Sequence, residues 1–342
     1  MKVAVVILNY NGKKFLEQFL PNVIANSDPD LAEIVVADNA STDDSVAFMR
    51  EHFPEIRLIE NGSNGGFATG YNLALRQVEA QYYVLLNSDI EVAPHWIEPI
   101  IEMMDADPQI AACQPKILSY YHKEQFEYAG ASGGFIDKYG YPFCRGRVFQ
   151  NLENDEHQYD APIQVFWATG ACMFVRADLY HRIGGLDDSF FAHMEEIDYC
   201  WRAQLKGYGV AVVPESVVWH LGGGTLVPKS PWKLELNHRN NLLLMENNLP
   251  ATVGRTVARL RICVRMLLDW ASAFVYLMSG RPEDFRAVVR AHRGYRKLRK
   301  EGPRTACGRA EISGYWKKCI ILQSLLRREG IFSYLKRYED SH

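Results

Sequence analysis

The stretch LLNSDIEV, residues 85–92, ends an apolar run on three small polar residues. Leu85 and Leu86 close the run YYVLL, whose unbroken apolar character suits a strand covered on both faces. Asn87, Ser88 and Asp89 follow at once. Asn, Ser and Asp are turn formers, so the plainest account is a chain that must bend. In an open α/β sheet, however, ligands bind beyond the carboxyl ends of the strands, and a carboxylate there can hold a divalent cation against a phosphate. The tripeptide alone does not choose.

Its neighbours do. VAVVIL (3–8), EIVVADN (33–39), IRLIEN (56–61) and YYVLLN (82–87) read as strands. GKKFLEQFLPNVIAN (12–26) and GFATGYNLALRQVEA (66–80) have helical spacing, and Ser41 with Asp44 resembles a capping box opening another helix. This alternation predicts a mostly parallel sheet with helices on both faces. Each strand is followed by polar residues: Asn9, Tyr10 and Asn11; Asp38, Asn39 and Ser41; Asn64, Gly65 and Gly66; Asn87 to Asp89. A turn-only account needs the same coincidence after four strands, whereas one binding crevice explains them together. The crevice is not a dinucleotide or P-loop site. The turn after the first strand, NYNG, has a single glycine, and neither G-x-G-x-x-G nor G-x-x-x-x-G-K-[ST] occurs there.

Beyond residue 110 the pattern becomes mixed. IAACQPKIL and VFWATGACMFVRA read as strands, residues 195–206 as a helix stopped by Gly207, and VAVVPESVVWH (210–220) as another strand. From about 235 the chain looks helical, with a boundary expected near ENNLPATVG (246–254). The expected organisation is a catalytic unit over 1–250 and a basic helical extension over 251–342. The net charge of −3 hides an asymmetry: residues 251–342 hold 20 Lys+Arg against 8 Asp+Glu, and residues 1–250 hold 18 against 33. The seven cysteines form no close pair with metal-ligand spacing, which predicts reduced thiols and a cytoplasmic setting. No signal peptide and no 18-residue apolar run are visible.

Seven segments occur in order: VVILNYNG, VVADNASTDDS, NGGFATGYN, LLNSD, TGACMFVR, GGLDDSFFAHMEEIDYCWRAQLKGY and VWHLGGGT. Together they resemble the family 2 glycosyltransferases of GT-A fold, rhamnosyltransferase-like branch, over roughly residues 1–250. LNHRNNLLLMENNLP resembles the segment that follows the catalytic domain in that branch. The resemblance implies inverting transfer from a nucleoside-diphosphate sugar, dTDP-rhamnose or a UDP-sugar in the first instance. The acceptor it implies is a glycan or lipid-linked one in polysaccharide or cell-wall assembly, and the cofactor is Mg²⁺ or Mn²⁺.

Roles follow residue by residue. Asp38 can accept the imide N–H of a uracil or thymine ring, Tyr10 can lie against the base, and Asn9 can bond it. Asn64, Gly65 and Gly66 allow close approach to base or ribose. NSD stands where the family has D-x-D. Asn87 and Ser88 then face the nucleotide, and Asp89 carries the metal role with one charge fewer than usual. His220, at a strand end before three glycines, is the implied second metal ligand. Glu195, Glu196 and Asp198 open a helix, where acids also compensate the dipole, and Asp198 has Arg202 four residues on. The family's base falls on Glu196, with Glu195 and Asp198 as rivals. Trp167 and Gly170, within WATGACMFV, are expected at the sugar pocket, although Trp167 also suits a core.

Two other classes compete. A GT-A-like nucleotide-sugar-binding protein that has lost catalysis would explain Asn87 and Glu196 where the family has Asp. A sugar-1-phosphate nucleotidyltransferase would need a Gly-rich basic loop after the first strand, which NYNG is not. The C-terminal segment RLRICVRMLLDWASAFVYLM (259–278) is apolar but interrupted by arginines and Asp269, and RAVVRAHRGYRKLRKEG (286–302) adds a run of cations. No nucleic-acid motif accompanies them. An anionic membrane surface suits residues 259–302, placing the protein peripherally on the inner face of the cytoplasmic membrane. A solvated extension or a homodimer contact is the plainer account.

Overall fold

The computed structural model describes residues 1–222, 230–299, 312–327 and 330–339. The last two of the three glycines after His220, the end of the 286–302 run, and Cys307 lie outside the described residues.

The chain begins with strand β1 (Val3–Asn9), helix α1 (Lys13–Ala25), β2 (Ala32–Asp38), α2 (Ser45–His52), β3 (Arg57–Glu60), α3 (Gly66–Leu75) and β4 (Tyr82–Asn87). Next come β5 (Ile90–Val92), α4 (Glu98–Ala106) and β6 (Ile110–Ser119). Short strands follow: β7 (Gly134–Asp137), β8 (Pro142–Cys144), β9 (Arg147–Val148), β10 (Asn151–Leu152) and β11 (Ile163–Gln164). The chain continues through β12 (Cys172–Arg176), α5 (Ala177–Ile183), α6 (Glu195–Leu205) and β13 (Gly209–His220). It ends with α7 (Pro231–Val253), α8 (Arg255–Met278), α9 (Pro282–Leu298), β14 (Tyr315–Trp316), α10 (Ile320–Leu326) and α11 (Ile331–Glu339).

The main sheet runs β11-β13-β6-β12-β4-β1-β2-β3, with β5 paired to β13. The pairs β4–β1, β1–β2 and β2–β3 are parallel, while β12 lies antiparallel between β4 and β6. This is the mixed sheet with a parallel N-terminal half that the alternation predicts. Val3 to Val6 and Val84 to Leu86 are completely buried because apolar side chains cover both faces. A smaller sheet, β10-β9-β8-β7-β14, carries a C-terminal strand against β7.

Several expectations shift. Ser41 does not cap α2, which starts at Ser45. Its hydroxyl instead accepts from the Asn9 side chain and the Asn11 backbone, 3.2 and 2.9 Å away. Helix α3 stops at Leu75 rather than near residue 80 because the chain turns at Ala74–Gln77 and Arg57 takes the Gln77 carbonyl. The strand expected over VFWATGACMFVRA shrinks to Cys172–Arg176. Upstream of it, the Thr169 amide bonds the Gln114 side chain and the Thr169 hydroxyl takes the Ala171 amide. The stretch 246–254, where a boundary is expected, holds the last turns of α7, with Asn247, Asn248 and Leu249 buried, and Gly254, which separates α7 from α8.

Helix α7 packs on α6, α8 and α9. Two of the charges that interrupt the apolar pattern of α8 point inward: Arg265 and Asp269 are buried and pair at 2.9 Å, with His292 of α9 at 3.3 Å from Asp269. No described helix is long and apolar enough to cross a membrane. Cys113, Cys144, Cys172 and Cys200 are buried free thiols.

Candidate active site

The carboxyl ends of β1, β2 and β4 share one edge because these strands run parallel in register, Asn9 beside Asp38 and Leu8 beside Asn87. Beyond that edge lies a cavity of about 420 Å³. Tyr10, Asn64, Gly66, Asn87, Ser88, Asp89, Gly170, Glu195, Glu196 and His220 all line it. Four parallel-sheet turns thus converge on one crevice, as the polar strand ends predict.

Asp89 and His220 are 131 positions apart in sequence, and the antiparallel pairing of β5 with β13 unites them, His220 facing Ile90. The imidazole Nε2 is 3.2 Å from Asp89 Oδ1, and Nδ1 is 3.3 Å from Glu127 Oε2. Burial opposes the charged imidazole, but the Glu127 and Asp89 carboxylates outweigh it and raise its pKa to about 10. Burial likewise opposes ionisation of Glu127, yet the His220 charge holds its carboxyl below the ordinary range. Glu127 was not singled out from sequence. Its only signal is an acid directly ahead of the Gly-rich stretch YAGASGG.

Among the described residues no three His, Cys, Asp or Glu side chains form a ready-made metal cage. The donor set of Asp89, His220 and Glu127 still suits a hard divalent cation that completes its shell with substrate phosphates. Mg²⁺-type sites use one or two carboxylates in this way.

Glu195 and Glu196 begin α6, and each keeps a buried carboxylate oxygen, Oε2, without a hydrogen-bond partner. Burial raises Glu196 to about 7. Burial, with the Glu196 charge adding to it, pushes Glu195 well above the usual carboxylate range. Both carboxyls therefore favour their protonated forms more than ordinary carboxylates do, and ionisation of Glu196 opposes that of Glu195. Asp198 is placed otherwise. Fully buried, it accepts from Arg202 Nε and Asn248 Nδ2, both at 2.7 Å, and ties α6 to α7 away from the crevice lining.

The segment leading into Glu195 has an uncommon backbone. Phe191, His193 and Met194 all have positive φ, at 64°, 72° and 75°, a conformation that costs a non-glycine residue on the order of 1 kcal/mol or more. Asn240 of α7 compensates. Its amide donates to the carbonyls of Phe190, Ala192 and His193 at 2.9, 2.8 and 2.8 Å. Arg239 Nε donates to Asn240 Oδ1 at 2.8 Å, which orients that amide, and Arg239 Nη2 reaches the Phe190 carbonyl at 2.8 Å. From the other side, the Phe67 amide at the start of α3 donates to the Phe191 carbonyl at 2.6 Å. Gly66 makes that approach possible: its φ is +80°, and a Cβ there would lie 2.3 Å from the Phe191 oxygen. Sequence reasoning missed Asn240, since only the packed α7 shows which loop it serves.

The remaining expected residues separate into lining and support. Tyr10 is 37% exposed at the crevice. Asn9 and Asp38 are buried behind the lining, with Asn9 Nδ2 donating to Asp38 Oδ1 at 3.1 Å and the Ser41 amide to Asp38 Oδ2 at 2.8 Å. Asn39, a polar strand-end residue expected at the crevice but given no separate role, lines it, and its amide bonds Asn64 Oδ1 and the Gly66 carbonyl, both at 3.0 Å. Gly65 precedes α3 outside the lining. Trp167 belongs to the core alternative: it is buried against Gly134 and its indole donates to the Phe135 carbonyl at 2.9 Å. Tyr128, Phe191 and Trp232 supply the aromatic surface instead.

Fold and crevice together define a glycosyltransferase of GT-A type. Residues 4–184 match the family described as "Glycosyl transferase family 2". The chain belongs to that family. It is 25% identical over 234 residues to the N-acetylglucosaminyl-diphospho-decaprenol L-rhamnosyltransferase of Mycobacterium tuberculosis, covering 64% of this chain and 75% of that protein. To the rhamnosyltransferase WbbL of Escherichia coli K12 it is 24% identical over 221 residues, covering 62% and 80%. Its fold is similar to that of GalNAc-T7, crystallised with UDP, GalNAc and Mn²⁺, with a TM-score of 0.57 at 18% identity, covering 72% of this chain and 48% of that one.

Proposed function

We propose that the chain transfers a sugar, with inversion, from a nucleoside-diphosphate donor to a lipid-linked or glycan acceptor, dTDP-rhamnose and UDP-sugars being the favoured donors. The observation that carries this is the pairing of two acid groups in one cavity, Asp89 with His220 at one place and the unpartnered Glu195 and Glu196 oxygens at another. The rhamnosyltransferase names of the two relatives support the donor, and the mycobacterial name supports an acceptor on a polyprenyl diphosphate.

In this reading Glu196 takes the proton of the acceptor hydroxyl as its oxygen bonds to the anomeric carbon. The bond from that carbon to the phosphate oxygen breaks, and its electron pair leaves with the nucleoside diphosphate. One displacement inverts the configuration. Asp89 and His220, with Glu127 behind, would hold a divalent cation, which when bound supplies charge neutralisation to the leaving diphosphate. Tyr10, Asn64, Gly66, Asn87 and Ser88 face the nucleotide, and Asp38 with Asn9 and Gly65 supports that wall. Gly170 leaves room beside the sugar, its missing Cβ lying 3.7 Å from that of Glu196.

Residues 1–250 carry this chemistry and residues 251–342 attach it to a surface. Leu260, Leu267, Phe274 and Met278 form one stripe along α8 and are 66%, 69%, 60% and 72% exposed. The neighbouring α9 exposes Arg286, Arg290, Arg293, Arg296 and Lys297. An apolar stripe beside a ridge of cations suits the headgroup layer of an anionic membrane, where a lipid-linked acceptor presents its reactive end.

A thermal-shift panel of nucleotide sugars with and without Mn²⁺ tests the donor. A matching donor raises the melting temperature through binding to the folded state alone. Turnover then requires release of nucleoside diphosphate in the presence of acceptor. Stabilisation by a donor without any transfer or hydrolysis would define a binding protein instead.

A further inference from the structure

Any diphosphate entering this crevice meets carboxylates first: Asp89, Glu127, Glu195 and Glu196 all line it. A nucleoside diphosphate carries several negative charges, so its approach needs cations. Apart from His220, placed above at the metal site, one cationic side chain is found among the described lining residues, Lys233. His220 is committed, its two ring nitrogens lying 3.2 and 3.3 Å from Asp89 and Glu127.

Lys233 is not committed. It stands in the first turn of α7, where the Ser230 hydroxyl caps the helix by accepting from the Lys233 backbone amide at 3.2 Å. The cap fixes the backbone and leaves the side chain to the crevice. Among the described residues the Lys233 ammonium has no hydrogen-bond or ion-pair partner, although most other partly buried cations here have one: Lys116 bonds Asp155 and Asp160, Arg202 bonds Asp198, and Arg265 bonds Asp269. A partly buried ammonium without a directly paired carboxylate is costly, and burial depresses its pKa. Its charge is felt on two sides: it interacts with Glu127 beside His220 and contributes to holding the buried His193 imidazole neutral. Lys233 therefore lines the same crevice as the Asp89–His220 pair and the loop that delivers Glu195 and Glu196, and its charge reaches both.

We propose that Lys233 binds the diphosphate of the donor and stabilises the charge left on it when the sugar departs. This rests on the glycosyltransferase reading and adds a residue from α7, beyond the 4–184 span that matches the family. No proton moves to or from Lys233. The electron pair of the broken carbon–oxygen bond stays on the phosphate oxygen, and the ammonium donates hydrogen bonds to it. The geometry suits this role because the breaking bond must lie between the diphosphate, on the Asp89 side, and the acceptor oxygen, on the Glu196 side.

Calorimetry on the full chain with Mn²⁺ tests it, using UDP, dTDP and GDP as probes and uridine, thymidine and guanosine as controls without phosphate. Lys233→Ala and Lys233→Gln should weaken the preferred nucleoside diphosphate by about tenfold to a hundredfold, the size of a lost charge-assisted hydrogen bond. Affinity for the matching nucleoside should stay within about twofold of wild type. Lys233→Arg should recover most of the diphosphate affinity. Wild-type affinity for the diphosphate in both truncating variants overturns the assignment and leaves the glycosyltransferase reading standing. Equal losses for diphosphate and nucleoside also overturn it, since they mean a damaged crevice rather than a lost phosphate contact. If the wild-type chain binds none of the three diphosphates, the reading of the crevice falls and Lys233 with it.

Discussion

The side-chain amide of Asn240 donates to the backbone carbonyl of His193 at 2.8 Å, joining a C-terminal helix to the loop two residues before Glu195. The same amide serves Phe190 and Ala192, so one buried side chain holds a backbone that left-handed Phe191, His193 and Met194 would otherwise relax.

Removing that amide should loosen the acids without touching the nucleotide. Asn240→Ala is expected to lower turnover roughly a hundredfold, the scale of a small misplacement of reacting groups. Nucleoside-diphosphate affinity should hardly change. Asn240→Asp should do at least as badly, because it sets a carboxylate against three carbonyls. Turnover of either variant near wild type would show that α3 and Arg239 hold the loop alone.

Asp89→Ala should abolish metal-dependent transfer, and His220→Ala should weaken the response to Mn²⁺. Glu127→Gln should act in the same direction by removing the second carboxylate that faces His220. Rates measured across a Mn²⁺ titration check all three. Full activity of Asp89→Ala in EDTA would remove the metal role.

Glu196→Gln should preserve donor binding and cut turnover by roughly 10²–10⁴-fold, the range for a lost general base. Glu195→Gln is the control. If it is the one that fails while Glu196→Gln turns over normally, the base is the neighbouring residue.

The acidity of this pair sets a pH profile. The base must be ionised, so turnover at saturating donor should rise with pH through about 7 and then level off. His193 stays neutral across that range, since burial, with the Lys233 charge adding, lowers it to about 4. Stability runs the opposite way. A carboxyl whose pKa is raised on folding binds its proton more tightly in the folded state, so its contribution is most favourable below the ordinary carboxylate pKa. It is lost as pH rises through about 7. Glu196→Gln should therefore melt at a higher temperature than wild type at pH 8 and show little difference at pH 4.

The basic helices predict a surface. Full-length chain should float with anionic vesicles, salt should reduce this, and Leu267→Glu with Phe274→Glu should keep the protein in solution while leaving nucleotide binding intact. Failure of the wild-type chain to float at low salt would remove the membrane attachment and leave the transferase chemistry untouched.

Much of this molecule is local information. The parallel half-sheet is written in VAVVIL, EIVVAD and YYVLL, because a strand buried on both faces must be apolar throughout, and the crevice is written in the polar residues that end those runs. Parallel strands share a carboxyl edge, so sequence alone gathers Tyr10, Asn64 and Asn87 to Asp89 at one place. Other relationships depend on contacts between distant parts of the chain. Asp198 reads as a third candidate base until Asn248 of α7 and Arg202 take both its oxygens. Trp167 reads as a stacking surface until Gly134 lets it pack into the core. Glu127 and Lys233 carry no motif, and Asn240, although within LNHRNNLLLMENNLP, has a role that this pattern does not state. Their positions follow from how a loop and a C-terminal helix pack against the sheet edge, since an ion pair or a buried amide is set by which elements meet rather than by any periodicity along the chain.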